Sequence, residues 1–258
     1  MDIEQCFKKI YDIKISGKKV YTNCTKNINE LKDSRIICDE YSIIILKEKY
    51  EGANRAYFYS WNIDNLNESL KECPKDSILE IVTKNENDYK EQILNAGFDC
   101  VAKMMKVSNN NIGHIFENEL VKVDNNVAKK ASMEDLDDIY KILYETFCSY
   151  ISHLPTKSEL IEKIENKEFV LIKNQQGKII SLLQQIVKQQ SYYFNQIINT
   201  GNKKLFHEMV KNELHKYYLN GGNQVYAWVA EDNIASLRFF EKYGLKDVGL
   251  RNVIYMKS

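Results

Sequence analysis

The stretch EDNIASLRFFEKYGLKDVG, residues 231–249, predicts a short helix between two strands. It follows the apolar run 225–229 and leads into 250–256, and both runs are typical of buried strands. Asn233 carries a side chain that is preferred at the start of a helix, and Gly244 is the kind of residue that often ends one. The stretch therefore predicts one packed strand–helix–strand unit.

The composition indicates a folded protein and argues against a nucleic-acid-binding one. Hydrophobic residues make up 44% of the 258 residues, which is enough for a core, and 36 basic residues balance 36 acidic residues. With a net charge of zero, the chain lacks the excess of basic residues expected of a nucleic-acid binder. We find no apolar run of signal-peptide or membrane-span length, and the six cysteines include no Cys-x-x-Cys pair. We expect a cytoplasmic protein without a metal, a nucleic-acid partner or a membrane partner.

Two polar breaks, at residues 108–113 and 124–126, predict a domain boundary near Asn125. The predicted domains are residues 1–125 and 126–258. When the first half is shifted by 147 residues, Val82 falls on Val229 and Gly97 falls on Gly244. The preceding strand and the helix length match as well, so the two halves indicate a repeated architecture.

The second half reads as an ordered series of strands and helices. The series comprises strand 127–131, helix 133–147 with a capping box of Ser132 and Asp135, a helix after Pro155, hairpin strands 169–173 and 179–188, strand 192–198, helix 203–219, strand 225–230, helix 234–243 and a last strand. Strands followed by a strand–helix–strand unit predict a mixed α/β fold, with a central mixed sheet and helices on both faces.

The late helix carries a family resemblance. The pattern Asn233-x-x-Ser236-x-x-x-Phe240-Glu241-Lys242-x-Gly244-Leu245 resembles the corresponding helix of the GNAT acetyltransferase superfamily. Residues 131–136, Ala-Ser-Met-Glu-Asp-Leu, are similar to the first strand-to-helix junction of that family. The resemblance covers 127–258 well and 77–107 weakly. It implies a GNAT-like acyl-CoA N-acyltransferase fold, with the first half as a second, degenerate copy.

The resemblance also implies a cofactor site. In GNAT enzymes two neighbouring parallel strands splay apart, acyl-CoA lies in the gap, and the following helix points its N-terminus at the pyrophosphate. Here the splayed strands would be 192–198 and 225–230, and acetyl-CoA would be the acyl donor. The implied cofactor-binding residues are Ile197, Ile198, Thr200, Gly201, Asn202, Lys203, Lys204, Asn233, Ser236 and Phe240.

The sequence departs from the family at the phosphate loop and at the acid. The loop 199–204 has one glycine, whereas the family uses two small residues that let backbone N–H groups approach the phosphates. Many members carry a Tyr where Phe240 stands, and its hydroxyl protonates the departing thiolate. The hydroxyls that remain as candidates are those of Ser236 and Tyr243.

A base is also not obvious. A lysine-like amine has a pKa of about 10.4 and must lose a proton before or during attack. Residues 181–199 contain no carboxylate, so Glu231, just after the second splayed strand, is the candidate base. Its ordinary role would be to complement a helix dipole. Asp232 and His153 are further candidates.

The resemblance implies an acetyl-CoA-dependent N-acetyltransferase that acts on a primary amine of an acceptor. The alternative is a catalytically inactive GNAT-fold binding or scaffold protein. A nucleic-acid module, suggested by interleaved Tyr, Lys and Asn, is disfavoured by the charge balance. The first half has Glu86 where the second has Asn233, and no glycine loop, so we expect it not to bind CoA. Monomer and homodimer both remain open.

Overall fold

The computed structural model describes residues 1–48, 54–116, 128–188 and 190–258. These residues form two compact units, the first made of 1–104 with 250–258 and the second of 105–249. The predicted domain boundary near Asn125 lies in 117–127, outside the described residues. The sequence pattern assigns 250–258 to the second domain, whereas the structure groups them with the first unit because they pair with one of its strands.

The first half of the chain alternates strands with short helices. Its elements are α1 (Ile3–Ile15), β1 (Tyr21–Thr22), β2 (Arg35–Cys38), β3 (Ser42–Glu48), β4 (Asn54–Ser60), α2 (Leu66–Lys71), β5 (Ile78–Thr83), α3 (Lys90–Asn95) and β6 (Phe98–Asn109). Short 3-10 helices cover Asn29–Leu31, Ile63–Asn65 and Ile112–Ile115.

The second half contains the elements that the sequence predicts, with ends shifted by a few residues. They are β7 (Lys129–Lys130), α4 (Leu136–Thr146) after a 3-10 turn at Met133–Asp135, α5 (Lys157–Glu165), β8 (Phe169–Lys173), β9 (Ile179–Lys188), β10 (Ser191–Asn199), α6 (Lys203–Leu219), β11 (Gln224–Ala230), α7 (Ile234–Glu241) and β12 (Lys246–Lys257).

The predicted helix caps are present. The side chain of Asn233 accepts a hydrogen bond from the Ser236 amide at 3.0 Å, which starts α7. Gly244 follows α7 with a φ of +69°, a conformation that costs glycine little. Ser132 and Asp135 form the predicted capping box. The correction at this helix is small: α7 ends at Glu241, so Tyr243 lies just beyond it.

The two units repeat one order of strands and helices. In the first, β2, β3 and β4 are antiparallel, β4 is parallel to β5, and β5 pairs with the last residues of β12. In the second, β8, β9 and β10 are antiparallel, and β10 is parallel to β11. A helix follows each member of both parallel pairs: α2 and α3 in one unit, α6 and α7 in the other. The predicted internal repeat is thus seen as two related α/β units.

In the second unit, helices cover both faces of the sheet. Leu182 and Leu183 are neighbours on β9 and therefore point to opposite faces. Leu183 packs in a cluster with residues of α6 and α7, whereas Leu182 packs in a cluster with residues of α4 and α5. Both leucines are fully buried. The predicted mixed sheet with helices on both faces is confirmed for this unit.

Candidate functional site

The parallel strands β10 and β11 separate part-way along their length. Their pairing starts at Ser191 with Gln224 and stops at Phe194 with Ala227, although β10 continues to Asn199 and β11 to Ala230. On its other side, β10 keeps its pairing with β9 through a one-residue irregularity at Asn195. Such a bulge bends the strand that carries it. The backbone of 195–199 is thus left without a partner on β11, in agreement with the predicted gap.

The start of α6 is closed by its own side chains. Asn202 accepts hydrogen bonds from the Lys204 and Leu205 amides at 2.8 and 3.3 Å, so it satisfies two of the N–H groups at the helix start. The Gly201 amide donates to Asn199 Oδ1 at 3.2 Å. The side chains of Lys203 and Lys204 are exposed. Because Asn199 and Asn202 already accept from backbone N–H groups here, an anion at this helix start would be met mainly by the two ammonium groups.

Gly201 has a packing reason to be glycine. A Cβ placed on it would lie 2.8 Å from Ile180 Cδ1 and 3.1 Å from Ile180 Cβ. These separations are below ordinary carbon contacts of roughly 3.5–4 Å. The neighbouring Thr200 amide is bonded to the Ile180 carbonyl at 2.9 Å, which fixes the loop against β9. A side chain larger than that of glycine at this position would therefore have to push Ile180 aside.

The predicted residues of α7 divide between its two ends. Ser236 is half-buried in the first turn, where its amide is capped by Asn233. Phe240 is buried, with its ring centroid 5.3 Å from that of Phe194, the last residue of β10 that pairs with β11. Phe240 is thus a core aromatic that packs against the last paired residue of β10, just before the two strands diverge. Of the predicted α7 residues, only Ser236 places a hydroxyl near the start of the helix.

Tyr243 is held against α6. Its hydroxyl oxygen lies 2.9 Å from His207 Nδ1, and the hydroxyl donates to the His207 carbonyl at 3.3 Å. Burial raises the pKa of Tyr243 and lowers the pKa of His207, which is also lowered by the charge of Lys242. The two predicted hydroxyl candidates, Ser236 and Tyr243, therefore lie at opposite ends of α7.

A carboxylate missed by the sequence reasoning is connected to the bulge. The side-chain Nδ2 of Asn195 donates to Gln184 Oε1 at 2.8 Å, and Gln184 Nε2 donates to Glu168 Oε2 at 3.0 Å. Gln184 is fully buried on β9, and Glu168 immediately precedes β8. The available signal was the glutamine pair inside the apolar run of β9, because a buried amide requires polar partners. The predicted base Glu231 is half-buried directly after β11.

The equivalent strands of the first unit are bridged by a side chain. β4 and β5 are parallel and paired at one position, Arg55 with Ile78. Asn23 Nδ2 donates to the Ala56 carbonyl at 3.1 Å and to the Glu80 carbonyl at 3.2 Å, while its Oδ1 accepts from the Phe58 amide at 2.7 Å. One amide side chain thus satisfies backbone groups on both strands.

Solved structures share this architecture. No protein-family model and no curated protein sequence matches the chain. A GCN5-related N-acetyltransferase from Sphaerobacter thermophilus is similar at a TM-score of 0.56 and 12% identity, over 83% of this chain and 76% of that one. A tandem GNAT protein from the clavulanic acid biosynthesis pathway gives 0.52 and 7%, over 83% and 78%. A GNAT-family acetyltransferase from Colwellia psychrerythraea gives 0.51 and 12%, over 84% and 81%.

The chain has the GNAT fold. The resemblance drawn from residues 231–249 is confirmed at the level of the fold, and the tandem neighbour agrees with two GNAT-like units. In the described part of the chain, none of the helices has the length and apolarity needed to cross a membrane. Nor do three or more His, Cys, Asp or Glu side chains come together as a metal site within the described residues.

Proposed function

We propose that the protein is an acetyl-CoA-dependent N-acetyltransferase whose second unit binds the cofactor. The observation that carries the proposal is the separation of β10 from β11 after Phe194 and Ala227. The GNAT resemblance implies that the pantetheine arm lies in such a gap and bonds to the backbone groups that the strands no longer share. In this chain those groups belong to residues 195–199, which include Ile197 and Ile198.

The pyrophosphate would lie at the start of α6. Because Asn202 already accepts from two amides there, the charge of the phosphates would be met mainly by the ammonium groups of Lys203 and Lys204. The Thr200 hydroxyl, which donates to the Ile180 carbonyl at 3.2 Å, would have to turn toward the phosphates to contribute. Asn233 and Ser236 would flank the cofactor from the start of α7, whereas the buried Phe240 packs against Phe194.

The reaction would move an acetyl group from sulfur to nitrogen. The acceptor ammonium loses a proton to a base, for which we propose Glu231, and the amine attacks the thioester carbonyl. A backbone N–H from residues 195–198 stabilises the oxyanion. Collapse would break the carbon–sulfur bond, and the second proton of the attacking nitrogen would pass through the hydroxyl of an acid residue to the departing thiolate, so that this hydroxyl is restored. We assign that acid to Ser236, because the Tyr243 hydroxyl is already engaged with His207.

Calorimetric titration with acetyl-CoA and with CoA tests this function. We expect one binding event per chain, weakened strongly by Lys203→Glu, which reverses a charge at the start of α6. Lys178→Glu is the matched control, because Lys178 is an exposed residue in the β8–β9 hairpin and undergoes the same charge reversal. Binding that survives Lys203→Glu unchanged would refute the proposed cofactor site.

The alternative function is a catalytically inactive GNAT-fold binding or scaffold protein. Two observations favour it. Phe240 packs in the core at the position where many GNAT members carry the Tyr that acts as the acid. Asn202 accepts hydrogen bonds from backbone N–H groups at the start of α6, which are then not available to a phosphate. Absence of acetyl-CoA binding at millimolar ligand would establish this alternative. Binding without transfer to any of a panel of amines would also support it.

A further inference from the structure

Gln196 carries a buried oxygen that no group in the described part of the chain satisfies. The residue lies on β10, directly after the irregularity at Asn195, and is 5% exposed. Its Oε1 has no hydrogen-bond partner among the described residues. Its partner across the strands, Gln184, is by contrast bonded at both ends of its carboxamide, to Asn195 and to Glu168. A buried oxygen without a donor costs free energy, so a ligand that brings an N–H to Gln196 would be stabilised there.

Gln196 faces the side of the sheet opposite to α6. It pairs with Gln184 of β9, and Ile198, two residues later, pairs with Leu182. Ile198 and Leu182 both pack in the cluster formed with α4 and α5, and residues two apart on a strand share a face. Residues of α6 pack in the cluster on the other face. The Gln196 side chain therefore lies apart from the cofactor contacts proposed above, which use the backbone of β10 and the start of α6.

Two aromatic residues of β11 share the face of Gln196. Ala227 and Val229 pack in the cluster formed with α6 and α7, so the alternate residues Tyr226 and Trp228 point to the opposite face. Trp228 directly follows Ala227, the last residue of β11 that pairs with β10. Tyr226 and Trp228 are both half-buried. The face that carries Gln196 thus presents aromatic surface beside the point where the two strands separate.

An ammonium group lies on the same face. Lys106 Nζ, from β6, is 4.5 Å from the centroid of the Tyr226 ring, which is a cation–π contact. The next residue, Val107, packs in the cluster formed with α6 and α7, in agreement with Lys106 on the opposite face. A second positive charge brought against Tyr226 would be repelled by this ammonium group, whereas an apolar group would not.

We propose that Gln196 binds the acceptor, with its Oε1 accepting a hydrogen bond from the acceptor amine, and that the acceptor is a primary amine with a single positive charge and an apolar body. The terminal torsion of a glutamine is soft, so the carboxamide can turn its oxygen toward an amine at the separation of β10 and β11. The apolar body would lie against Trp228 and Tyr226. This inference rests on the proposed acetyltransferase function, to which it adds a substrate class and a residue that positions the attacking nitrogen.

The first experiment compares Gln196→Met with Gln184→Met in urea unfolding of the full chain. Methionine has a similar length without the carboxamide, and loss of an unpartnered polar group is neutral or stabilising. We therefore expect Gln196→Met to keep or raise the unfolding midpoint. Gln184→Met should lower it, because Asn195 and Glu168 each lose a hydrogen bond. A midpoint lowered by Gln196→Met as much as by Gln184→Met would show that the fold itself uses the oxygen, and would overturn the proposal.

The second experiment measures acetyl transfer with hexylamine and with 1,6-diaminohexane, which differ by one ammonium group. Gln196→Met should raise the KM for hexylamine by about tenfold, as for the loss of one hydrogen bond, and leave the KM for acetyl-CoA unchanged. Gln175→Met is the matched control, because Gln175 is exposed in the β8–β9 turn. The wild type should have a higher KM for the diamine than for hexylamine, and Lys106→Met should reduce that difference.

Calorimetric titration with hexylamine, with and without CoA, distinguishes failure of this inference from failure of the proposed function. Hexylamine binding that Gln196→Met weakens, in a chain that transfers no acetyl group, would leave the amine site standing and remove the acetyltransferase function. Acetyl-CoA binding without saturable hexylamine binding would do the reverse. Equal KM values of wild type and Gln196→Met for hexylamine, or equal wild-type KM values for the two amines, would also overturn the inference.

Discussion

Replacement of Asn23 by Ala tests whether this side chain stabilises the first unit by connecting the separated strands β4 and β5. The side chain satisfies the carbonyls of Ala56 and Glu80 and the amide of Phe58. Each buried polar group left without a partner costs about 1–3 kcal/mol. Asn23 is half-buried, so water replaces part of the loss, and we expect the free energy of unfolding of the first unit to fall by about 3 kcal/mol.

The assay is urea unfolding combined with amide hydrogen exchange. With a urea m-value of about 1–3 kcal/mol/M, this loss lowers the unfolding midpoint of the first unit by about 1–3 M. Exchange should increase in β4 and β5, first at the Phe58 amide, while α6 and β11 keep their protection. The amides that exchange faster thus identify where the variant loses structure.

Two further variants make the result decisive. Asn87→Ala is the control, because Asn87 is exposed and lies in the same unit. Asn23→Asp keeps the acceptor for the Phe58 amide but loses both donors and places a carboxylate beside two carbonyl oxygens, so it should destabilise more than Asn23→Ala. If Asn23→Ala and Asn87→Ala differ by less than about 0.5 kcal/mol, the bridge has no role in stability, since surface substitutions usually fall within that range.

Two other predictions concern the second unit. Gly201→Ala should lower the free energy of unfolding by about 1–3 kcal/mol through overpacking against Ile180. In a double-mutant cycle, Ile180→Ala should recover part of that loss when it is combined with Gly201→Ala. If the two losses simply add, overpacking against Ile180 is excluded as the reason. Burial raises the pKa of Glu213, but Lys130 and Lys216 outweigh burial and hold this pKa below its usual value. The ionised Glu213 therefore stabilises the folded state above the unfolded pKa, and this contribution is lost as pH falls through the folded pKa. Glu213→Gln should therefore flatten the acid limb of stability against pH in urea titrations, and an unchanged acid limb would contradict this assignment.

Much of the fold could be predicted from local signals. Asn233 and Gly244 delimit α7 by capping chemistry, which depends on neighbouring backbone and not on distant residues. Apolar runs predict β8 and β9, and β10 alternates between buried and half-buried residues because residues two apart share a face. These signals need no knowledge of tertiary contacts, and they also located α6 at Lys203–Leu219.

The site was less predictable because its determining contacts are distant in sequence. Gly201 suggested a phosphate loop, but its contact is Ile180, on another strand. Tyr243 was a candidate acid by position on α7, but its hydroxyl is bound by His207 of α6. Glu168 was overlooked because Gln184 connects it to Asn195 across two strands. Each of these contacts depends on strand register or helix packing, which no local pattern specifies.

The two parallel pairs of strands differ in what meets the backbone groups where the strands separate. The divergence of β4 from β5 exposes the same kind of backbone groups as the divergence of β10 from β11. In the first unit Asn23 supplies donors and an acceptor to those groups, which is the role that the GNAT resemblance implies for a pantetheine arm. A ligand would have to displace three hydrogen bonds there before forming its own. We expect the first unit not to bind CoA, and the bridge by Asn23 is a more direct reason for this expectation than the absence of a glycine loop.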